Sequence, residues 1–252
     1  MNRFADRIEQ AQLAMGVAGV EAICLSVGSD LPYLTGYRAM ALERVTMLIV
    51  PREGAPALVV PGLEAARVDV PDGVFSIVGW AETEDPIAII DAILGDAATV
   101  ALGDETWSRF LLQLQETNPG RTYRSASDLM SSLRIRKSSG EIDALRRAAQ
   151  TVDSVVDEMA EVVFSGRSER DVSREIIDRA IANGHDSMDF WIVASGPNGA
   201  SPHHEPGDRI IEHGDAVVVD FGGTQNGYRS DTTRMFVVGE TPYGFDDAFE
   251  AV

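Results

Sequence analysis

Asp220 and Asp231 are the residues whose types and spacing most clearly invite chemistry. Asp220 ends a run of three valines in VVVDFGGTQNGYRSDTTRMF (217–236), where a merely solvated carboxylate would be out of place. Asn226-Gly227 is a strong hairpin signal, and folding about residues 225–227 brings Asp231 beside or diagonal to Asp220. Two adjacent carboxylates in apolar surroundings repel, so one must hold its proton unless a cation compensates. Hard oxygen ligands would suit Mn²⁺, Mg²⁺ or Zn²⁺ at a site that needs further ligands. The spacing also admits a purely structural reading, with Asp220 ending a strand and Asp231 paired with Arg229 or Arg234.

Pro202-His203-His204 puts two of the chain's four histidines in one Gly-, Pro- and Asn-rich loop just before that hairpin. Imidazole suits proton transfer near neutral pH and metal ligation. Two exposed loop histidines would look the same. His185 and His213 stand beside Gly184 and Gly214 and read as solvent-facing or capping. Gly222-Gly223 is no phosphate loop, because the chain leads into another strand and not into a helix.

The elements that must carry these residues follow from periodicity. An amphipathic helix is predicted over 3–16, with Gly16 and Gly19 helping to end it. Strands are predicted at 22–26, 44–50, 57–60, 74–78, 99–102 and 121–124, and a loop over 28–37, where Pro32 and Gly36 punctuate the chain. Helices are predicted at 86–94, with Pro86 near N1, and at 105–115. Alternating strands and helices imply a mixed α/β domain over 1–128. The texture changes in 128–138. Ser138 and Glu141 form a capping box opening a helix whose apolar stripe is Ile142, Leu145, Ala149, Val152, Val156, Met159 and Val163. A second box, Ser168 with Asp171, opens a helix with Val172, Ile176, Ile177 and Ala180 inward and Gly184 as its stop. Strands at 190–195, 216–220 and 228–238 and a polar loop at 195–209 complete a second domain, 138–252.

Composition narrows the function. Of 252 residues, 44% are hydrophobic, enough for real cores. Lys plus Arg number 21 against 40 Asp plus Glu, a net charge of −19. No basic stripe is left to release counterions from nucleic acid, and anionic membranes are disfavoured too. The opening MNRFADRIEQ lacks an apolar signal core, and no run approaches a membrane span, so a cytoplasmic enzyme or binding protein is expected. The lone Cys24, within an apolar run, reads as a buried inert thiol.

Three segments then carry a resemblance. IVASGPNGASPHH (192–204), GDAVVVDFGG (214–223) and GYRSDTTRMF (227–236) resemble successive motifs of Xaa-Pro aminopeptidases and Xaa-Pro dipeptidases (prolidases), in the creatinase/aminopeptidase "pita-bread" superfamily. Residues 133–150 resemble the linker and first helix of that catalytic domain, and 7–37 the start of its N-terminal domain. The resemblance implies an α/β creatinase-like N-terminal domain followed by the leading half of an α+β pita-bread domain. It implies hydrolysis of the bond before proline by two divalent metal ions, manganese foremost, otherwise cobalt or zinc, in a homodimer or tetramer. By position, Asp220 corresponds to the bidentate ligand of one metal and Asp231 to the carboxylate bridging both. His203 corresponds to the histidine that contacts substrate and helps stabilise or protonate the tetrahedral intermediate, with His204 as a minor neighbour.

The family completes its site with a later histidine and two glutamates, and residues 237–252 contain no histidine. A C-terminally truncated chain is therefore expected, with sparse or no metal bound, no turnover alone, self-association, and apolar surface exposed near 190–195 and 216–219. Two other readings stand beside a peptidase. One is a non-catalytic binding protein of the same fold. The other is a creatinase-like metal-free C–N hydrolase, which would keep His203 as base but need neither aspartate.

Overall fold

The computed structural model describes residues 2–69 and 73–251. It divides into two compact units, Met1–Arg136 and Lys137–Val252.

The first unit runs α1 (Arg3–Ala18), β1 (Ala22–Leu25), α2 (Asp30–Thr35), β2 (Met47–Pro51), β3 (Ala57–Pro61), β4 (Ser76–Trp80), α3 (Pro86–Leu94), β5 (Thr99–Leu102), α4 (Ser108–Thr117), β6 (Thr122–Ser125) and α5 (Ser127–Arg134). Its six-stranded mixed sheet has the order β4-β3-β2-β1-β5-β6. The central strands are apolar on both sides because helices cover both faces. Ile8, Met15, Leu25 and Leu48 pack on the α1, α2 and α5 side; Cys24, Ile49, Ile90 and Leu114 pack on the α3 and α4 side. Cys24 is fully buried, and that burial pushes its thiol up to about 12, so it stays protonated and inert.

Three local expectations are revised here. Residues 30–35, read as loop, form α2: Pro32 sits in the first turn, where its missing N–H is not needed, and Gly36 closes the helix at φ 77°. Glu105 stays outside α4, because a turn closes from Thr106 N–H to Gly103 O and the Glu105 carboxylate accepts from Ser29 N–H. Residues 127–134 are helical and belong to the first unit, burying Leu129 and Met130, so that unit runs past residue 128 to Arg136.

The second unit runs α6 (Ser139–Met159), α7 (Glu169–Ala182), β7 (Ser187–Ser195), β8 (Ala216–Gln225), β9 (Tyr228–Arg229), β10 (Thr232–Val237) and α8 (Phe245–Glu250). The Ser138–Glu141 capping box is formed in full. At α7 only half of the second box forms: Ser168 accepts from Asp171 N–H, while the Asp171 carboxylate takes up the serine hydroxyl. The buried stripe of α6 is turned from the predicted one. It comprises Ala144, Ala148, Thr151, Val152, Val155 and Met159, whereas Ile142 and Val163 are exposed. Ala144 and Ala148 thus stand on the buried side, while Val152, Val155 and Met159 enter the sheet core.

The sheet has the order β10-β8-β7, all antiparallel, with β9 also on β8. Val193, Val217, Val219 and Phe221 point toward α6 and α7 and meet Val152, Val155, Met159, Val172 and Ile176 in one core. Burial therefore extends over 192–195, 217 and 219; of the apolar residues expected to be exposed there, Trp191 is the one that is. Among the described residues no helix is long and apolar enough to cross a membrane.

Candidate metal-dependent active site

Strand pairing fixes the two aspartates. Asp220 lies opposite Thr233 on β10 and Ile192 on β7, and its Oδ1 accepts from the Thr233 hydroxyl at 2.8 Å. Asn226 and Gly227 both take positive φ, 49° and 91°, in the tight turn between β8 and β9. The pairing Thr224 with Arg229 and the pairing Phe221 with Thr232 share one register, so nothing is inserted between β9 and β10. Asp231 therefore stands level with Gly222, diagonal to Asp220 and on the same sheet face, where such neighbours are about 7–8 Å apart. That face is turned away from α6 and α7.

The structural reading of the pair finds no support in its arginines. Arg229 lies 3.6 Å from Asp189, and Arg234 reaches Asp153 of α6 at 3.8 Å. Among the described residues the Asp231 carboxylate has no hydrogen bond or ion pair, and Asp220 has only a neutral hydroxyl. Two carboxylates sharing a face with no cation of the protein beside them have the donor chemistry of a hard divalent ion's ligands. They are only part of such a set: the described residues contain no group of three or more His, Cys, Asp or Glu placed to hold a metal.

Glycine at 222 keeps the hairpin this tight. A Cβ there would run into Ser230 O and the Phe190 ring. Gly222→Ala is expected to cost about 1–3 kcal/mol, the range for overpacking, read by urea unfolding, and to displace Asp231. Unchanged stability would show that the hairpin is looser than this.

His203 is exposed, and among the described residues its side chain has no hydrogen bond. It rides on the loop between β7 and β8, which starts as one 3₁₀ segment, Gly196–Ala200. A Cβ on Gly199 would touch Val218 Cγ2 at 3.6 Å. Val218 alternates with Val217 and Val219, so the loop lies over the face that bears Asp220. No direct contact joins His203 to either aspartate.

The structure adds residues that the sequence did not single out. Glu169, in the first turn of α7, is 0% exposed. Its Oε1 accepts from Ser195 N–H (2.8 Å), the Ser195 hydroxyl (2.7 Å) and Asn198 Nδ2 (3.0 Å); Oε2 accepts from His204 Nε2 (2.8 Å) and Gly207 N–H (3.3 Å). An ionised carboxylate only accepts, so His204 carries its proton on Nε2. Arg209 extends the network, donating to Ser195 Oγ at 2.6 Å while paired with Asp215. His204 is thus a tether and not a bystander.

Burial pushes the Glu169 carboxyl upward, but hydrogen bonds from Ser195, Asn198 and His204 outweigh it and hold the group at about 2, below its usual 4.5. The folded value lies below the unfolded one. The stabilisation is therefore complete above pH 4.5 and is lost as pH falls toward 2. It amounts to about 3 kcal/mol. Urea unfolding at pH 7 and pH 3 should show about 2 kcal/mol more loss in wild type than in Glu169→Gln, because a group held at about 2 is still largely ionised at pH 3; equal losses would contradict it.

His185 corrects another expectation. It is buried, 3% exposed, with Nε2 2.7 Å from Ser230 Oγ, and burial pushes its pKa down. Ser230 Oγ also accepts from Gly223 N–H at 3.3 Å. A neutral imidazole thereby props the residue just before Asp231. The adjacent Gly184 gave it the look of a surface residue.

Residues 7–136 match the creatinase/prolidase N-terminal domain, and residues 143–252 match metallopeptidase family M24. The chain is 39% identical over 242 residues to the probable dipeptidase PepE of Mycobacterium tuberculosis, covering 94% of this chain and 64% of that protein. It thus spans just under two thirds of that relative's length. It superposes on dipeptidase PepE from Mycobacterium ulcerans with TM-score 0.87 at 35% identity, covering 99% of this chain and 68% of the other. For the prolidase of Thermococcus sibiricus the TM-score is 0.91 at 32% identity, with 100% and 70% covered. The chain belongs to metallopeptidase family M24, with a creatinase-like α/β domain preceding the M24 domain that carries Asp220, Asp231 and His203.

Proposed function

We propose that the complete gene product is a metal-dependent peptidase that hydrolyses the bond before proline, with dipeptides as its preferred substrates. One observation carries this reading: Asp220 and Asp231 share a sheet face, paired with no cation among the described residues, and the loop that bears His203 lies over that same face at Gly199 and Val218. The dipeptide preference leans on relatives that are themselves named dipeptidase or prolidase.

In this reading Asp220 and Asp231 hold divalent metal, manganese foremost, with further ligands supplied from outside the described residues. When bound, such ions supply Lewis acidity and an activated water. His203 hydrogen-bonds the scissile carbonyl oxygen as negative charge develops there, a contact worth more in the transition state than in the ground state. Thr233 orients the Asp220 carboxylate through its 2.8 Å hydrogen bond. A homodimer is the proposed assembly, checked by light scattering.

The test is a substrate panel with the complete gene product in Mn²⁺. Cleavage of Ala-Pro, little of Ala-Ala, and little of a longer Ala-Pro peptide is expected. Preference for the longer peptide would make it an aminopeptidase, and no cleavage of any Xaa-Pro bond would overturn the reading in favour of a binding protein of this fold.

A further inference from the structure

The loop from Ser195 to Gly207 has little to hold it in place by itself. It contains Gly196, Pro197, Gly199, Pro202, Pro206 and Gly207 and one 3₁₀ segment, so few of its backbone groups bond within it. One side chain gathers most of its anchoring bonds. The Glu169 carboxylate gathers Ser195, Asn198, His204 and Gly207, donors on both sides of His203, and both its oxygens are fully engaged. The base of the anchor is rigid. Glu169 lies in the first turn of a 14-residue helix, and its own N–H and that of Arg170 donate to Arg209 O and Gly207 O. The returning chain is therefore docked on the start of α7 by main-chain bonds as well.

We propose that Glu169 is a positioning residue for the reaction: it fixes the 195–207 loop and thereby sets where His203 stands over the face of Asp220 and Asp231. This inference rests on the role given to His203 above. Glu169 itself has no exposed surface and touches neither aspartate, so it acts through the loop. Glutamine at 169 would keep the shape and lose the function. Its NH₂ would face groups that are themselves donors, leaving at least one of them buried and unpaired.

The experiment pairs kinetics on an Xaa-Pro dipeptide with amide hydrogen exchange, in the complete gene product with Mn²⁺. In Glu169→Gln, kcat is expected to fall about 10²-fold, the cost of misplacing a group by an ångström, with KM nearly unchanged. Exchange should accelerate across 195–207 while α6, α7 and β8 stay protected. Asn198→Ala and His204→Gln each remove one anchor and should give smaller losses of the same kind; they decide the matter if Glu169→Gln does not fold. Unchanged kcat with an unchanged loop would overturn the proposal. So would exchange that quickens evenly through the second unit, or a rise in KM equal to the fall in kcat, since either marks a merely structural residue. If wild type cleaves no Xaa-Pro bond, the peptidase reading has failed. The exchange pattern still tells whether Glu169 fixes the loop.

Discussion

Asp231→Asn in the complete gene product is expected to lower kcat on an Xaa-Pro dipeptide by about 10³-fold or more, since a metal site supplies several kcal/mol of transition-state stabilisation. The substitution is nearly isosteric and falls on an exposed residue that has no protein partner among the described residues, so stability should hardly change. Asp220→Asn should lose activity comparably, but with a small stability effect through the Thr233 hydroxyl, which donates to Asp220 Oδ1. Thr233→Ala separates the two causes. It removes that hydrogen bond without removing a carboxylate, and should cost far less activity than Asp220→Asn. Steady-state kinetics beside urea unfolding of the three variants make the check. Near-normal turnover in Asp231→Asn would remove the aspartate pair from the mechanism.

His203→Ala carries the second-largest effect. A positioned proton donor or hydrogen-bond partner contributes about 10²–10⁴-fold, and the loss should fall on kcat with KM little changed. The side chain is exposed and unbonded among the described residues, so the folded protein gives up nothing when it is removed. His204→Gln should behave differently. That residue is tied to Glu169 at 2.8 Å, and its loss should loosen the loop. If His204→Gln were the more damaging to kcat while its loop exchange stayed normal, the two histidines would have to exchange roles.

Much of this was legible in the sequence, and for physical reasons. The hairpin could be read because Asn226-Gly227 supplies two positive-φ residues at a two-residue turn, and that fixes register. Register in turn places Asp231 on the face of Asp220. The cap at Ser138 and the helix start at Pro86 were equally readable; that Asp85 caps the latter helix, accepting from Ile87 N–H and Ala88 N–H, is seen in the structure. What stayed hidden was set by distant partners. Glu169 sits in SERD, which looks like a solvated helix start; only the return of Ser195, Asn198, His204 and Gly207 makes it a buried hub. His185 follows a glycine and looked exposed until Ser230 came back across β8. The stripe of α6 was misjudged because alanines, weak in any hydropathy count, form its packed side. The fold's local grammar is written in short segments, whereas the buried polar network belongs to pairs 26–38 residues apart.

The most direct test is the metal dependence of Xaa-Pro cleavage by the complete gene product. The protein is stripped with a chelator, and the initial rate on an Xaa-Pro dipeptide is followed as Mn²⁺ is returned. The predicted result is no turnover in the stripped protein and recovery that saturates near about two equivalents per chain, with no recovery in Asp220→Asn or Asp231→Asn. Full turnover in metal-free protein would contradict it, and would leave His203 serving a hydrolase that uses neither aspartate.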